Sequence, residues 1–168
     1  MKKVVIGIPL LMIALAFFAF AQTSTPTPQA TEVNAIQWLT WEEAMEAMER
    51  KPKKIFIDVY TDWCGWCKRM DASTFTDPDV SAYMNEHFYA VKFNAEGNQQ
   101  LEYKDKTYSF EPSIGRSGVH TLAVKLLNGR LGYPSFVYLD EEQESLKISP
   151  GYKTPDVLLT ELKAVVGK

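Results

Sequence analysis

The residues best suited to chemistry fall in one run, YTDWCGWCKRM, from Tyr60 to Met70. Cys64 and Cys67 are the only 2 cysteines in a chain of 168 residues, and two positions part them. Four chemistries use such a pair. As a structural disulfide it closes so short a loop that the gain is about 2 kcal/mol. A chain long enough to bury a core of its own has little need of that staple. A zinc site takes about four ligands, which leaves His87 and His120, far apart in sequence and unlike the spacing of a finger. Haem attachment asks for His directly after the second cysteine, where Lys68 stands. A redox-active dithiol uses the whole run. If the pair opens a helix, Cys64 takes the N-terminal position, where the macrodipole and free backbone N–H groups stabilise a thiolate. Cys67, one turn on, reaches the mixed disulfide that Cys64 forms, and Lys68 and Arg69 add positive charge. Cys64 is then the nucleophile and Cys67 the resolving thiol.

Other elements must hold that run in place. KIFIDVY (54–60) is rich in β-branched and aromatic residues, has Asp58 as the charge at its middle, and reads as a central strand that ends at the cysteines. CKRMDAS reads as the opening of a helix. Asp77 then caps a helix over PDVSAYMNEHF with Pro78 at its first position. Upstream, Thr40 and Glu43 form a capping box ahead of WEEAMEAME, where Trp41, Ala44, Met45 and Met48 recur at helical spacing before Pro52. YAVKF is a second strand.

Residues 98–118 break the rhythm: LEY and TYSF flank Lys104-Asp105-Lys106 as a hairpin, and EPSIGRSG is loop. A helix resumes over VHTLAVKLL and stops at Asn128-Gly129. PSFVYLD and LKIS are strands on either side of the acidic turn DEEQE, and Thr154-Pro155 caps a last helix, PDVLLTELKAVV. This order implies an α/β fold whose sheet has strands of mixed direction. His87, at a helix end, reads as a packing or end-capping residue, and His120 carries no functional signal.

The N-terminal MKKVVIGIPLLMIALAFFAFAQ sets Lys2 and Lys3 before an apolar run that finishes in Ala19-Phe20-Ala21. That is the pattern of a signal peptide, 1–21, with an uncleaved anchor as the alternative. Residues 22–32 are rich in Thr and Pro and read as a flexible linker, so the folded domain is expected over 33–168. Without 1–21 the chain keeps 16 basic and 21 acidic residues, a net charge of −5. Neither nucleic acid nor an anionic membrane surface is a suggested partner. A monomer with no metal is expected, and with no cofactor beyond the Cys64–Cys67 disulfide.

Four separated features resemble the thioredoxin superfamily: WCGWC, Asp58 six residues before Cys64, Lys92 in AVKFNAEG, and GYPSFVYLD around Pro134. YTDWCGWCKRMD with TFTDP resembles, more narrowly, exported thioredoxin-like proteins akin to the periplasmic C-terminal domain of the DsbD thiol transporter. The resemblance runs from Val33 to the end. It implies a thioredoxin fold, a central mixed sheet flanked by helices, with 98–118 inserted before the helix that leads to a cis-proline. It implies that Asp58 is a carboxylate buried behind the site, raised in pKa by desolvation, which takes or delivers the proton of Cys67.

By the same resemblance Lys92 pairs with Asp58, although an alternating strand equally allows an outward, solvated lysine. Tyr133 and a cis Pro134 would flank Cys64, with the Tyr133 backbone pairing with an extended substrate chain. Gly65-Trp66 stands where thioredoxin proper has Gly-Pro, the dipeptide at which the family tunes its potential. Trp63, Gly65 and Trp66 are candidate substrate contacts, the two tryptophans being polar-tipped and too close to the reactive turn for plain core. The alternative packs one of them, Trp63, beneath the loop, and Trp66 is the better candidate to meet a partner's apolar surface.

The expectation is an exported thiol-disulfide oxidoreductase, periplasmic or secreted, that reduces protein disulfides with electrons from a membrane thiol transporter. The direction rests on the resemblance. An oxidase or isomerase would be marked by an easily reduced disulfide. A non-catalytic binding module, or a Cu(I)-handling one built on the two soft thiolates, would use Trp66 and 98–118 as its surface.

Overall fold

A strand such as KIFIDVY, apolar on both faces, demands cover on both, and the order of elements supplies it. The computed structural model describes residues 35–167; the expected signal peptide and linker lie outside the described residues. β1 (Trp38–Leu39) leads into α1 (Trp41–Arg50), where the capping box is closed: Glu43 N–H donates to the Thr40 hydroxyl and Thr40 N–H to the Glu43 carboxylate. β2 (Lys54–Tyr60) ends at the cysteines. α2 (Gly65–Ala72), a 3-10 turn (Thr74–Thr76), α3 (Pro78–His87) and β3 (Phe88–Asn94) follow, and the Asp77 carboxylate accepts from Asp79 and Val80 N–H to start α3. The chain continues through β4 (Leu101–Tyr103), β5 (Lys106–Tyr108), β6 (Phe110–Glu111), β7 (Val119–His120) and α4 (Thr121–Leu126). β8 (Ser135–Leu139), β9 (Ser145–Pro150) and α5 (Pro155–Val166) complete it.

The main sheet runs β1-β3-β2-β8-β9, with β1, β3 and β2 parallel, β8 antiparallel to β2 and β9 antiparallel to β8. This is the mixed α/β sheet flanked by helices of the thioredoxin fold. On one face Ile55, Ile57, Val59, Val91, Phe93 and Val137 pack with α1 and α4. On the other, Phe56, Ala90, Phe136 and Tyr138 pack with Met70 of α2, Met84 of α3 and Leu158 and Leu162 of α5. Strand alternation puts Asp58 and Lys92 on this second face, beneath α2. The strand directions also bring four loops to one edge of the sheet: those after β2, after β3, before β8 and after β9.

Several boundaries differ from the sequence reading. β1, β6, β7 and the 3-10 turn were not anticipated, because elements of two or three residues carry no period. The helix expected from Val119 starts at Thr121, since Val119 and His120 first pair with β6. In the hairpin the second strand is Lys106–Tyr108 rather than TYSF; Lys104 and Asp105 turn with φ of 49° and 59°, as a primed two-residue turn requires. Thr154 occupies the N-cap of α5 without a side-chain hydrogen bond, so Pro155 alone marks the start.

The inserted segment is built into the first face rather than standing off it. Leu101 is buried, the Trp41 indole N–H donates to Glu102 O at 2.9 Å, and the Tyr103 hydroxyl donates to Gln143 O at 2.8 Å. Gly118, at φ 79°, lies so close under the Phe110 ring that any Cβ would collide with it. His87 packs its ring 4.2 Å from that of Tyr83.

Candidate active site

Cys64 is the N-cap of α2, with extended backbone, and Cys67 lies in the helix's first turn, so the two are bonded as a disulfide with Cα atoms 5.3 Å apart. The Cys67 N–H donates to Cys64 Sγ at 3.1 Å, and Cys64 N–H is anchored on Thr61 O at 3.1 Å. A free N–H of a helix N-terminus is thus aimed at one of the two sulfurs. It favours negative charge there once the bond opens. Both cysteines are nearly enclosed, at 4% and 2% exposure. Gly65 is exposed, with open space where a Cβ would stand.

Beneath α2, Asp58 and Lys92 are register partners across β2 and β3, and the Lys92 ammonium meets Asp58 Oδ2 at 2.7 Å. The same ammonium reaches Asp71 on α2, and it sits over the rings of Trp38, Phe75 and Tyr60 at 4.8, 5.0 and 5.3 Å. Asp58 is 1% exposed. Burial pushes its carboxyl up to about 6, against the pull of the Lys92 charge and hydrogen bond, and nearby Asp71 adds to the rise. Burial works against the Lys92 ammonium, but the Asp58 charge and the hydrogen bonds to Asp58 and Asp71 outweigh it and raise its pKa. An acid titrating near neutrality behind a dithiol is suited to proton transfer.

The Tyr133–Pro134 peptide bond is cis. Pro134 is buried and its carbonyl accepts from Gly151 N–H at 2.8 Å. The Tyr133 ring meets that of Trp63, the residue before the first cysteine, edge-on at 5.9 Å. The alternative for Trp63 does not hold: it does not pack beneath the loop but is 65% exposed, more than Trp66 at 56%. Its indole N–H finds a partner at the surface, Glu96 Oε1 at 3.0 Å, so the ring has no need of a buried site. Trp66 packs on Tyr152 at 5.2 Å, and the Arg69 guanidinium lies 5.8 Å from each of those two rings.

Sequence reading missed Glu96, Asp71 and Tyr152. Each reaches the site from a different loop or helix, and no local spacing signals it. A further sign is visible only in three dimensions. Among the described residues, the buried side-chain oxygens without a hydrogen-bond partner are Asp58 Oδ1, Thr61 Oγ1 and Tyr133 OH; Thr61 O accepts from Cys64 N–H, the Tyr133 ring meets that of Trp63, and Asp58 lies on the strand that ends at the cysteines. Native cores rarely leave such groups unpaired, and functional sites are where they do.

Comparison with known proteins bears on the family and the fold. The thiol:disulfide interchange protein DsbD of Escherichia coli is 41% identical over 64 residues, which are 38% of this chain and 11% of DsbD. Spermatogenesis-associated protein 20 of Mus musculus is 25% identical over 123 residues, 72% of this chain and 15% of that protein. The chain therefore spans only a small share of either relative's length. The solved structure of a DsbH oxidoreductase superposes with a TM-score of 0.57 at 21% identity, covering 86% of this chain and 95% of that one, and so shares its fold. The family described as "Thioredox_DsbH: Protein of unknown function, DUF255" matches residues 19–156. That match runs over most of the chain, so the chain belongs to this Thioredox_DsbH family, and its Cys64–Cys67 disulfide lies within the matched residues.

Proposed function

We propose that this protein is an exported thiol-disulfide oxidoreductase that reduces protein disulfides. The observation that carries the reading is the Cys67 N–H aimed at Cys64 Sγ from the start of α2, which selects Cys64 as the thiolate. In the reduced form, Cys64 attacks one sulfur of a substrate disulfide, forms a mixed disulfide and releases one substrate thiolate. Cys67 then attacks Cys64 Sγ, the second substrate thiolate leaves, and the Cys64–Cys67 disulfide forms; two electrons have passed to the substrate. Asp58, a carboxylate held by Lys92 before the step, takes the Cys67 proton and becomes a neutral carboxyl as that thiol becomes nucleophilic. Tyr133 and the cis Pro134 offer backbone to an extended substrate chain, and Trp63, Gly65 and Trp66 form the floor it crosses. A donor dithiol must reset the pair. The likeness to part of DsbD supports a membrane thiol transporter in that role, and the N-terminal pattern of the sequence supports a periplasmic or secreted location.

Insulin reduction tests the scheme. Cys64→Ser abolishes turnover, and Cys67→Ser accumulates mixed disulfides that a reducing gel dissolves; full activity in either variant would refute the two-step route. Direction is read from the reduction potential in glutathione or dithiothreitol buffers. A value near about −270 mV supports a reductant, and one near about −120 mV reverses the assignment to an oxidant.

A further inference from the structure

The disulfide lies between two flanks of opposite charge. In the sheet order β1-β3-β2-β8-β9, the loop after β3 and the loop after β9 stand on opposite sides of the cysteines and the cis-proline loop. On the β3 side are Glu96, which holds the Trp63 indole, and exposed Asp62 next to that tryptophan. On the β9 side Tyr152 packs on Trp66, and Arg69 lies over both rings, exposed and in no ion pair among the described residues, with exposed Lys68 beside it. Each flank thus pairs an exposed tryptophan with one sign of charge.

We propose that the substrate is a cystine-bearing protein segment crossing this edge in extended form, with a basic side chain over the Asp62–Glu96 flank and an acidic one over the Arg69 flank. This rests on the reading of Cys64–Cys67 as a thiol-disulfide exchanger and names the polarity of what it exchanges with. The aromatic rings supply apolar contact on both sides of the reacting sulfurs. The charges at the rim fix which way the segment lies and speed its arrival, the usual work of rim electrostatics. The polarity also rejects segments laid the other way, because like charges would then face each other on both flanks.

The test uses two peptides of one composition, each joined through a single cysteine to 2-mercaptoethanol as a mixed disulfide. One has Lys before the cysteine and Glu after it; the other has them exchanged. The reduced full-length protein is mixed with each, and with hydroxyethyl disulfide, and second-order rate constants are measured. One polarity reacts about threefold or more faster at low ionic strength, and the difference closes at high salt. The double variant Arg69→Glu with Glu96→Lys inverts the order, and Arg69→Glu alone narrows it. Equal rates for the two peptides with hydroxyethyl disulfide still reduced would overturn the polarity alone. A preference that survives exchange of both charges overturns it as well. No reduction of any of the three substrates would overturn the exchange reading and this proposal with it.

Discussion

Two buried titratable side chains, one on each face of the main sheet, show how differently one fold treats polar groups. His120, on the face covered by α1, α4 and the inserted segment, is fully enclosed and fully satisfied. Its Nδ1 accepts from Leu122 N–H at 3.1 Å, capping α4, and its Nε2–H donates to Gln99 O at 3.0 Å, while Phe93 meets the ring edge-on at 5.3 Å. Asp58, beneath α2, is as deeply buried but engages only one oxygen, through Lys92; its Oδ1 has no partner among the described residues. Burial does not separate a structural polar group from a reactive one. The kind of partner does: His120 is held by two backbone atoms, whereas Asp58 is held by the charge of a lysine that also serves Asp71.

Substitution at each position breaks that comparison if it is false. Asp58→Asn is expected to slow insulin reduction about a hundredfold or more, the low end of what a positioned proton acceptor supplies. Urea denaturation at pH 7 should find its stability unchanged or higher, since the variant no longer buries a charge with an unsatisfied oxygen, and Lys92 keeps Asp71. An unchanged rate would remove Asp58 from the chemistry. His120→Leu should do the reverse. It leaves Leu122 N–H and Gln99 O without partners and is expected to cost about 1–3 kcal/mol in the same denaturation series. Its kcat/KM should stay within about twofold, since the energetics of a helix cap are local. A rate loss as large as that of Asp58→Asn would erase the distinction between the faces.

What was legible in the sequence follows the same division. Thr40 with Glu43, and Asp77 with Pro78, are written within four residues, and both helix starts form where they were read. KIFIDVY likewise announced a central strand, because seven residues with apolar faces on both sides have few other uses. Asp58 and Lys92 lie 34 positions apart and become neighbours only through the parallel register of β2 and β3. His120 carried no signal because its partners, Gln99 O and Leu122 N–H, are backbone atoms, which no residue type advertises. Trp63 reads as a surface candidate from its place at the reactive turn, but what holds it there was hidden for a related reason: Glu96, the partner of its N–H, lies 33 positions away.

The same two residues should pull stability in opposite directions as pH changes, which sharpens the comparison at its smallest expected effect. The Asp58 carboxyl, ordinarily near 3.8, is pushed up to about 6 by burial. Its protonated form is the one the fold favours, so its contribution is fully present below pH 3.8 and is withdrawn as pH rises through about 6. Burial lowers the His120 imidazole from its ordinary 6.5, with the hydrogen bond to Gln99 acting the other way. Its neutral form is the one the fold favours, so its contribution is present above pH 6.5 and is withdrawn as pH falls. Each group alone changes stability by no more than about 1.4 kcal/mol per pH unit. Between about pH 4 and 6.5 the two slopes oppose each other, and urea midpoints in steps of half a pH unit should separate them. Relative to the unsubstituted protein, Asp58→Asn loses stability faster on acidification and His120→Leu more slowly. Profiles that stay parallel across this window would mean that neither side chain changes its protonation on folding, and the contrast between a satisfied histidine and an unsatisfied aspartate would then have no electrostatic content.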